Sequence, residues 1–265
     1  MDARPIGLFD SGFGGVNVLA SAVTLLPQED FLFLGDNLHA PYGDRTPEEV
    51  LAFTREGVNM LLAQGCKAIV IACNTATSVA ADALRKGSAL PIIGMEPALK
   101  PAALLPQEGA VLVMATAMTL KLGKFQALMA QYGQHAVPVP CPGLVELIEA
   151  GETDGPRIRA KLAEYLSPWL TQPVKAVVLG CTHYVFLRRA LRAYLPAEVA
   201  LVDGNLGTAR QLQTVLDARD LRKPKDAPAR GEVSFISTSP DPAIPLRMRA
   251  WFDLALAELG AGCNS

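Results

Sequence analysis

The sequence predicts an α/β protein made of two similar parallel-sheet α/β domains related by a pseudo-two-fold, with an active site in the cleft between them. Three observations predict it. Short apolar, β-branched runs alternate with longer amphipathic stretches, the pattern of a mainly parallel sheet covered by helices. Half of the 265 residues are hydrophobic, enough for one large core or two smaller ones. Small polar motifs and cysteines recur at similar spacings in the two halves: Asp10 to Cys73 spans 63 positions and Thr116 to Cys181 spans 65. The domains are expected at residues 1–95 with 206–265, and at residues 96–205.

The strands expected in order are Pro5–Phe9, Phe31–Gly35, Ala68–Ala72, Pro91–Gly94, Ala110–Ala115, Val174–Gly180, Val199–Asp203 and Glu232–Ile236. Between them, Thr46-Pro47-Glu48-Glu49 combines an N-cap, a proline at the first helical position and a capping-box glutamate, and Gly87 follows Arg85-Lys86 as a helix stop. Arg222–Arg230, rich in proline and charge, reads as a surface loop. In open α/β sheets ligands bind outside the carboxyl ends of strands, so a cleft between two such units would be lined by the recurring motifs.

Composition excludes several classes. A formal charge of −2 gives no general basic surface, which makes nucleic acid an unexpected partner. No stretch is long enough to span a bilayer, and the N-terminal residues lack the pattern of a signal peptide. The five cysteines are widely spaced with no CxxC pair, which argues against a disulfide framework or structural zinc and favours a reducing, cytoplasmic setting.

Chemistry concentrates at four places. Ile69–Ala76 and Val177–Tyr184 share one plan: apolar strand, cysteine, short polar residues, helix. A cysteine at a helix N-terminus has its thiolate favoured by the dipole and by unpaired N–H groups. A lone cysteine there would read as a small buried hydrophobe; two at equivalent positions favour function, whereas Cys66, Cys141 and Cys263 lack the context. Asp10-Ser11-Gly12-Phe13-Gly14-Gly15 follows the first strand and opens a helix, its glycines permitting a tight turn and close approach of N–H groups to an anion. It matches neither a Walker loop nor the dinucleotide fingerprint, and Asp10 could equally cap that helix. His183 stands two residues after Cys181, either acting on that thiol or satisfied in the core; with Cys181 it supplies only two of the three or four ligands a zinc site needs, so no metal is expected. Pro41-Tyr42-Gly43 reads as an ordinary turn or as a substrate-facing loop.

Taken in order, Asp10-Ser11-Gly12, Pro41-Tyr42-Gly43, Cys73-Asn74-Thr75, Thr116 with Thr119, and Gly180-Cys181-Thr182-His183 resemble the bacterial glutamate racemases over nearly the whole chain. Many members carry glycine where Ala115 and Met118 stand here. The resemblance implies that Cys73 and Cys181 are the two acid/base catalysts, acting on the D- and L-enantiomer respectively, with Asp10 and His183 assisting. It further implies that Ser11, Pro41, Tyr42, Gly43, Asn74, Thr75, Thr116, Thr119 and Thr182 bind substrate. No cofactor, a homodimer, and D-glutamate supply for cell-wall peptidoglycan are part of the same implication. Glu146, Glu149 and Glu152 are all candidates to reach the site. The competing readings are an aspartate racemase or another two-cysteine isomerase, a cysteine hydrolase, which would leave Cys73 without a role, and a binding protein without catalysis.

Overall fold

A computed structural model describes residues 1–224 and 228–262, so Cys263 and part of the 222–230 loop lie outside it. The chain divides into two compact units, Met1–Met95 with Asn205–Ser265, and Glu96–Gly204. In chain order the first unit begins with β1 (Ile6–Asp10), α1 (Val16–Leu25), β2 (Phe31–Gly35), α2 (Pro47–Ala63), β3 (Ala68–Ile71), α3 (Asn74–Lys86) and β4 (Ile92–Gly94). The second comprises α4 (Leu99–Ala103), β5 (Ala110–Ala115), α5 (Ala117–Lys121), α6 (Gly123–Tyr132), β6 (Ala136–Pro140), α7 (Leu144–Glu149), α8 (Pro156–Leu166), β7 (Val174–Leu179), α9 (Arg188–Tyr194) and β8 (Ala200–Val202). The chain then returns to the first unit with α10 (Asn205–Ala218), β9 (Val233–Ser237) and α11 (Ala243–Gly262).

Both sheets are wholly parallel. Their orders are β4-β3-β1-β2-β9 and β6-β5-β7-β8. Read from the opposite edge, the second sheet is β8-β7-β5-β6, the order of the first four strands of the first sheet. The repeat heard in the cysteine spacing is therefore a repeat of topology, to which β9 adds an extra strand in the first unit. All five residues of β1 and all four of β3 are buried, as expected of central parallel strands covered on both faces by helices. In the second unit Val111, Val113, Ala115, Ala176 and Val178 pack with Leu99, Ala102, Leu120 and Phe125 from the covering helices.

The apolar strand runs are found where the sequence puts them, with ends moved by a residue or so. One strand is additional. β6 has the sequence Ala-Val-Pro-Val-Pro, and its two prolines remove the ladder donors that a strand assignment needs. It forms because it is an edge strand, paired only with β5, so the missing N–H groups face no partner.

The Thr46 capping box is present: Glu49 N donates to Thr46 Oγ1 at 3.2 Å and Thr46 N donates to Glu49 Oε2 at 2.8 Å. Thr46→Ala is expected to lower unfolding free energy by about 1 kcal/mol, as read from denaturant midpoints at unchanged slope. Gly87 ends α3 as expected, at φ −99 rather than in the left-handed region.

Candidate functional site

In each sheet the strand order reverses beside the first strand of the unit. The chain leaves β1 to one side for β2 and to the other for β3, and leaves β5 likewise for β6 and β7. The carboxyl ends at such a switch point are splayed, and ligands of parallel sheets bind there. In the first unit this places the Asp10-Ser11 segment beside Cys73; in the second, Thr116 beside Cys181.

In the first unit Asp10 is fully buried at the end of β1, and its Oδ2 accepts the Gly12 N–H at 3.1 Å. It does not cap α1, whose N-cap is Gly15 with no side-chain cap bond. Gly15 is required for space: a Cβ there would sit 2.7 Å from Asp10 Cβ. Cys73 is the N-cap of α3, and its Sγ accepts the Ala76 N–H at 3.4 Å. Cys73 Sγ and Ser11 Oγ are also 3.4 Å apart, so the thiol can donate to the hydroxyl and the hydroxyl can donate to the thiolate. Asn74 and Thr75, the first residues of α3, are buried. Among the described residues, Asn74 is unusual in that the nitrogen and the oxygen of its amide are both buried without a protein partner, an arrangement that leaves an NH2 donor group and a carbonyl acceptor for a bound molecule. Pro41 precedes a 3-10 turn, Tyr42–Asp44, that holds Tyr42 and Gly43; Tyr42 is buried and donates to Asp36 Oδ2 at 2.5 Å.

The second unit solves the same problem differently. Cys181 is followed not by an α-helix but by a six-residue 3-10 helix, Thr182–Leu187, and its side chain makes no cap bond. The helix-terminus argument that fits Cys73 is therefore replaced here by a side chain. His183 Nδ1 lies 3.8 Å from Cys181 Sγ, and His183 Nε2 lies 2.7 Å from Glu149 Oε1. His183 is buried, which favours the neutral ring, but its hydrogen bonds to Cys181 and Glu149 and their negative charge outweigh burial and hold its pKa well above the usual histidine value. The arrangement favours the protonated ring beside the sulfur, with the Glu149 carboxylate orienting it.

Of Glu146, Glu149 and Glu152, it is Glu149 that meets His183. Glu146 is exposed, and Glu152 pairs with Arg157 at 2.6 Å. Gly180 lets β7 pass close to β5, since a Cβ there would lie 2.7 Å from Met114 O. Thr116 caps α5, accepting the Thr119 N–H at 3.2 Å and donating to Thr119 Oγ1 at 3.0 Å; Thr182 is buried beside Cys181 in the chain. Cys66 immediately precedes Lys67 and β3, and Cys141 directly follows β6 with its N–H donating to Ala115 O at 3.2 Å. Burial pushes the Cys66 thiol up to about 11 and the Cys141 thiol higher still, the latter also through the nearby Cys181 charge. No group of three or more His, Cys, Asp or Glu among the described residues could hold a metal ion, and no helix among them is long and apolar enough to cross a membrane.

Comparison with known proteins decides the family. The model of the Asp/Glu/hydantoin racemases matches residues 17–212. The chain belongs to this family. Within it, a glutamate racemase from Clostridium kluyveri is 49% identical over 216 residues, 80% of this chain and 84% of that one. One from Clostridium perfringens is 43% identical over 243 residues, 91% and 93% of the two chains. The crystal structure of a glutamate racemase from Francisella tularensis in complex with D-glutamate superposes with a TM-score of 0.80 at 29% identity, covering 97% of this chain and 95% of that one. This member of the racemase family is thus an isomerase of amino acids by kinship, built on two parallel-sheet α/β domains.

Proposed function

We propose that the protein interconverts L- and D-glutamate by a two-base mechanism without a cofactor, Cys73 and Cys181 being the two acid/base groups. The observation that carries the reading is that each sheet ends its switch point in a thiol with its own means of holding negative charge: the Ala76 N–H and Ser11 for Cys73, the His183–Glu149 pair for Cys181. Racemisation needs a base on one face of the α-carbon and an acid on the other, with the roles exchanged for the reverse reaction. From L-glutamate, the Cys181 thiolate takes the α-proton and the Cys73 thiol delivers its own; from D-glutamate, Cys73 takes and Cys181 delivers. The Asn74 amide, Thr75, Thr116, Thr119 and Thr182, with the Pro41-Tyr42-Gly43 loop, bind the substrate, and Asp10 assists at Cys73. Relatives 43–49% identical that are named glutamate racemases support glutamate over a shorter acidic amino acid. The cellular role that follows is supply of D-glutamate for peptidoglycan.

Isotope labelling tests the mechanism without changing the protein. In heavy water, with the reaction stopped early, newly formed D-glutamate is expected to carry deuterium at the α-carbon while remaining L-glutamate carries little. Starting from D-glutamate gives the mirror result. Early product that is largely protiated, or substrate labelled as fast as product, contradicts two bases on opposite faces of the carbon.

A further inference from the structure

We propose that Asp36 is the positioning residue of the Pro41-Tyr42-Gly43 loop, its buried carboxylate fixing the loop in the form that binds substrate and so setting KM rather than kcat. The inference rests on the reading above, in which that loop is part of the binding site.

Asp36 follows β2 directly and is 2% exposed. A buried carboxylate is costly unless its oxygens are well supplied with donors, and here three side chains supply them. Tyr42 Oη donates to Oδ2 at 2.5 Å, Thr238 Oγ1 donates to Oδ1 at 2.6 Å, and His39 Nδ1 lies 2.9 Å from Oδ1 and 3.0 Å from Oδ2. The donors come from two segments 200 positions apart, one being the loop itself and the other the chain just after β9. A second row of bonds repeats the tie: Leu38 N donates to Thr238 Oγ1 at 3.2 Å and Ser237 Oγ donates to Asn37 Oδ1 at 3.0 Å.

Aromatic contacts complete the clamp. The His39 ring stacks on Phe53 of α2 with centroids 3.8 Å apart, and Tyr42 packs against Phe9 and Phe53. Burial first, and then the Asp36 charge, push the Tyr42 phenol far above its ordinary value, so it remains a proton donor to Asp36 at every working pH. An acceptor-only group is therefore what this point requires. An amide could keep the loop closed only by turning one hydroxyl round to accept from it, and a methyl group would strand all three donors.

Asp36 touches neither proposed acid/base group in any contact described, so its removal acts on the loop. Two measurements on the full-length protein test this. In steady-state racemisation of glutamate, Asp36→Ala is expected to raise KM by roughly tenfold or more with kcat within about threefold of the parent, and Asp36→Asn to recover much of the loss. In hydrogen exchange, the His39 and Arg45 amides of Asp36→Ala are expected to exchange about tenfold faster than in the parent, while those of β1 and β3 keep their protection.

Where the parent racemises glutamate, an unchanged KM in Asp36→Ala overturns the proposal, as does a fall in its kcat without a change in KM. If the parent fails to racemise glutamate, the proposed function fails, and the exchange measurement still decides whether Asp36 holds the loop: unaltered loop protection refutes it. Should Asp36→Ala not fold, Thr238→Val removes one donor and is expected to show both effects at a few-fold size; its absence from both readouts refutes the proposal equally.

Discussion

Serine at position 181 is expected to lower kcat for racemisation by roughly 10² to 10⁴ in both directions, and serine at position 73 by as much. Sulfur is the atom the mechanism needs, because a thiol loses its proton near neutral pH and an aliphatic hydroxyl does not. In the proposed mechanism each direction uses one group as base and the other as acid, so neither single variant is expected to retain a working direction. The double variant should then be little slower than either single one, since the two act as a unit. Each single variant keeps one half of the chemistry. With Cys73 intact, Cys181→Ser should wash deuterium from heavy water into D-glutamate without inverting it, and Cys73→Ser should do the same to L-glutamate. Cys66→Ser and Cys141→Ser serve as controls expected to keep the parental kcat, because their buried thiols stay protonated near neutral pH. A Cys181→Ser or Cys73→Ser enzyme within tenfold of the parent defeats the assignment.

The second large effect concerns the pair that serves only one of the thiols. Glu149→Gln leaves an acceptor for His183 Nε2 but removes the charge that helps to hold the imidazolium, and His183→Asn removes the cation altogether. The His183 pKa is raised, so the ring keeps its proton to higher pH than an ordinary histidine and loses it as pH climbs through that raised value. Taking away the Glu149 charge lowers it, and the alkaline fall in kcat should move to lower pH in Glu149→Gln. In kcat at neutral pH we expect a loss of roughly ten- to a hundredfold for Glu149→Gln and more for His183→Asn, with KM changing less. Because Cys73 relies on a backbone N–H and a hydroxyl instead, isotope exchange into D-glutamate by Cys73 should be nearly insensitive to Glu149. Equal damage to exchange from both enantiomers contradicts this division of labour. A kcat–pH profile of Glu149→Gln superimposable on the parent contradicts the role of the carboxylate.

Much of this arrangement is legible in the sequence because its signals are local. Fully buried parallel strands are runs of Val, Ile, Leu and Ala wherever they occur, and cysteine directly after two of those runs marks the switch points. What the sequence hides is long-range or permissive. The prolines of β6 argue against a strand until its place at the sheet edge is known. Glu146, Glu149 and Glu152 are alike on paper, and only the fold brings one of them to a histidine 34 positions away. Asp36 reads as an ordinary turn residue after a strand, since the hydroxyl of Thr238 that completes its shell is 202 positions away. The cysteine segments, so similar in pattern, differ where pattern is silent: one continues as an α-helix that the sulfur caps and the other as a 3-10 helix that it does not.

The passage of the chain out of the first unit and back again gives the protein a timetable for its own synthesis. The second sheet is encoded in one unbroken stretch and has all its strands once Val202 has left the ribosome. The first has four of its strands much earlier, but β2 waits with an open edge for Val233–Ser237. At a synthesis rate on the order of 10 residues per second, the wait from β4 to β9 lasts roughly ten seconds or more. Thr238, the next residue after β9, reaches Asp36 only then. The loop that carries Pro41, Tyr42 and Gly43 is among the first parts of the molecule to be made and among the last to be secured, so a nascent chain cut short before β9 would carry both thiols yet leave that loop without its Thr238 tie.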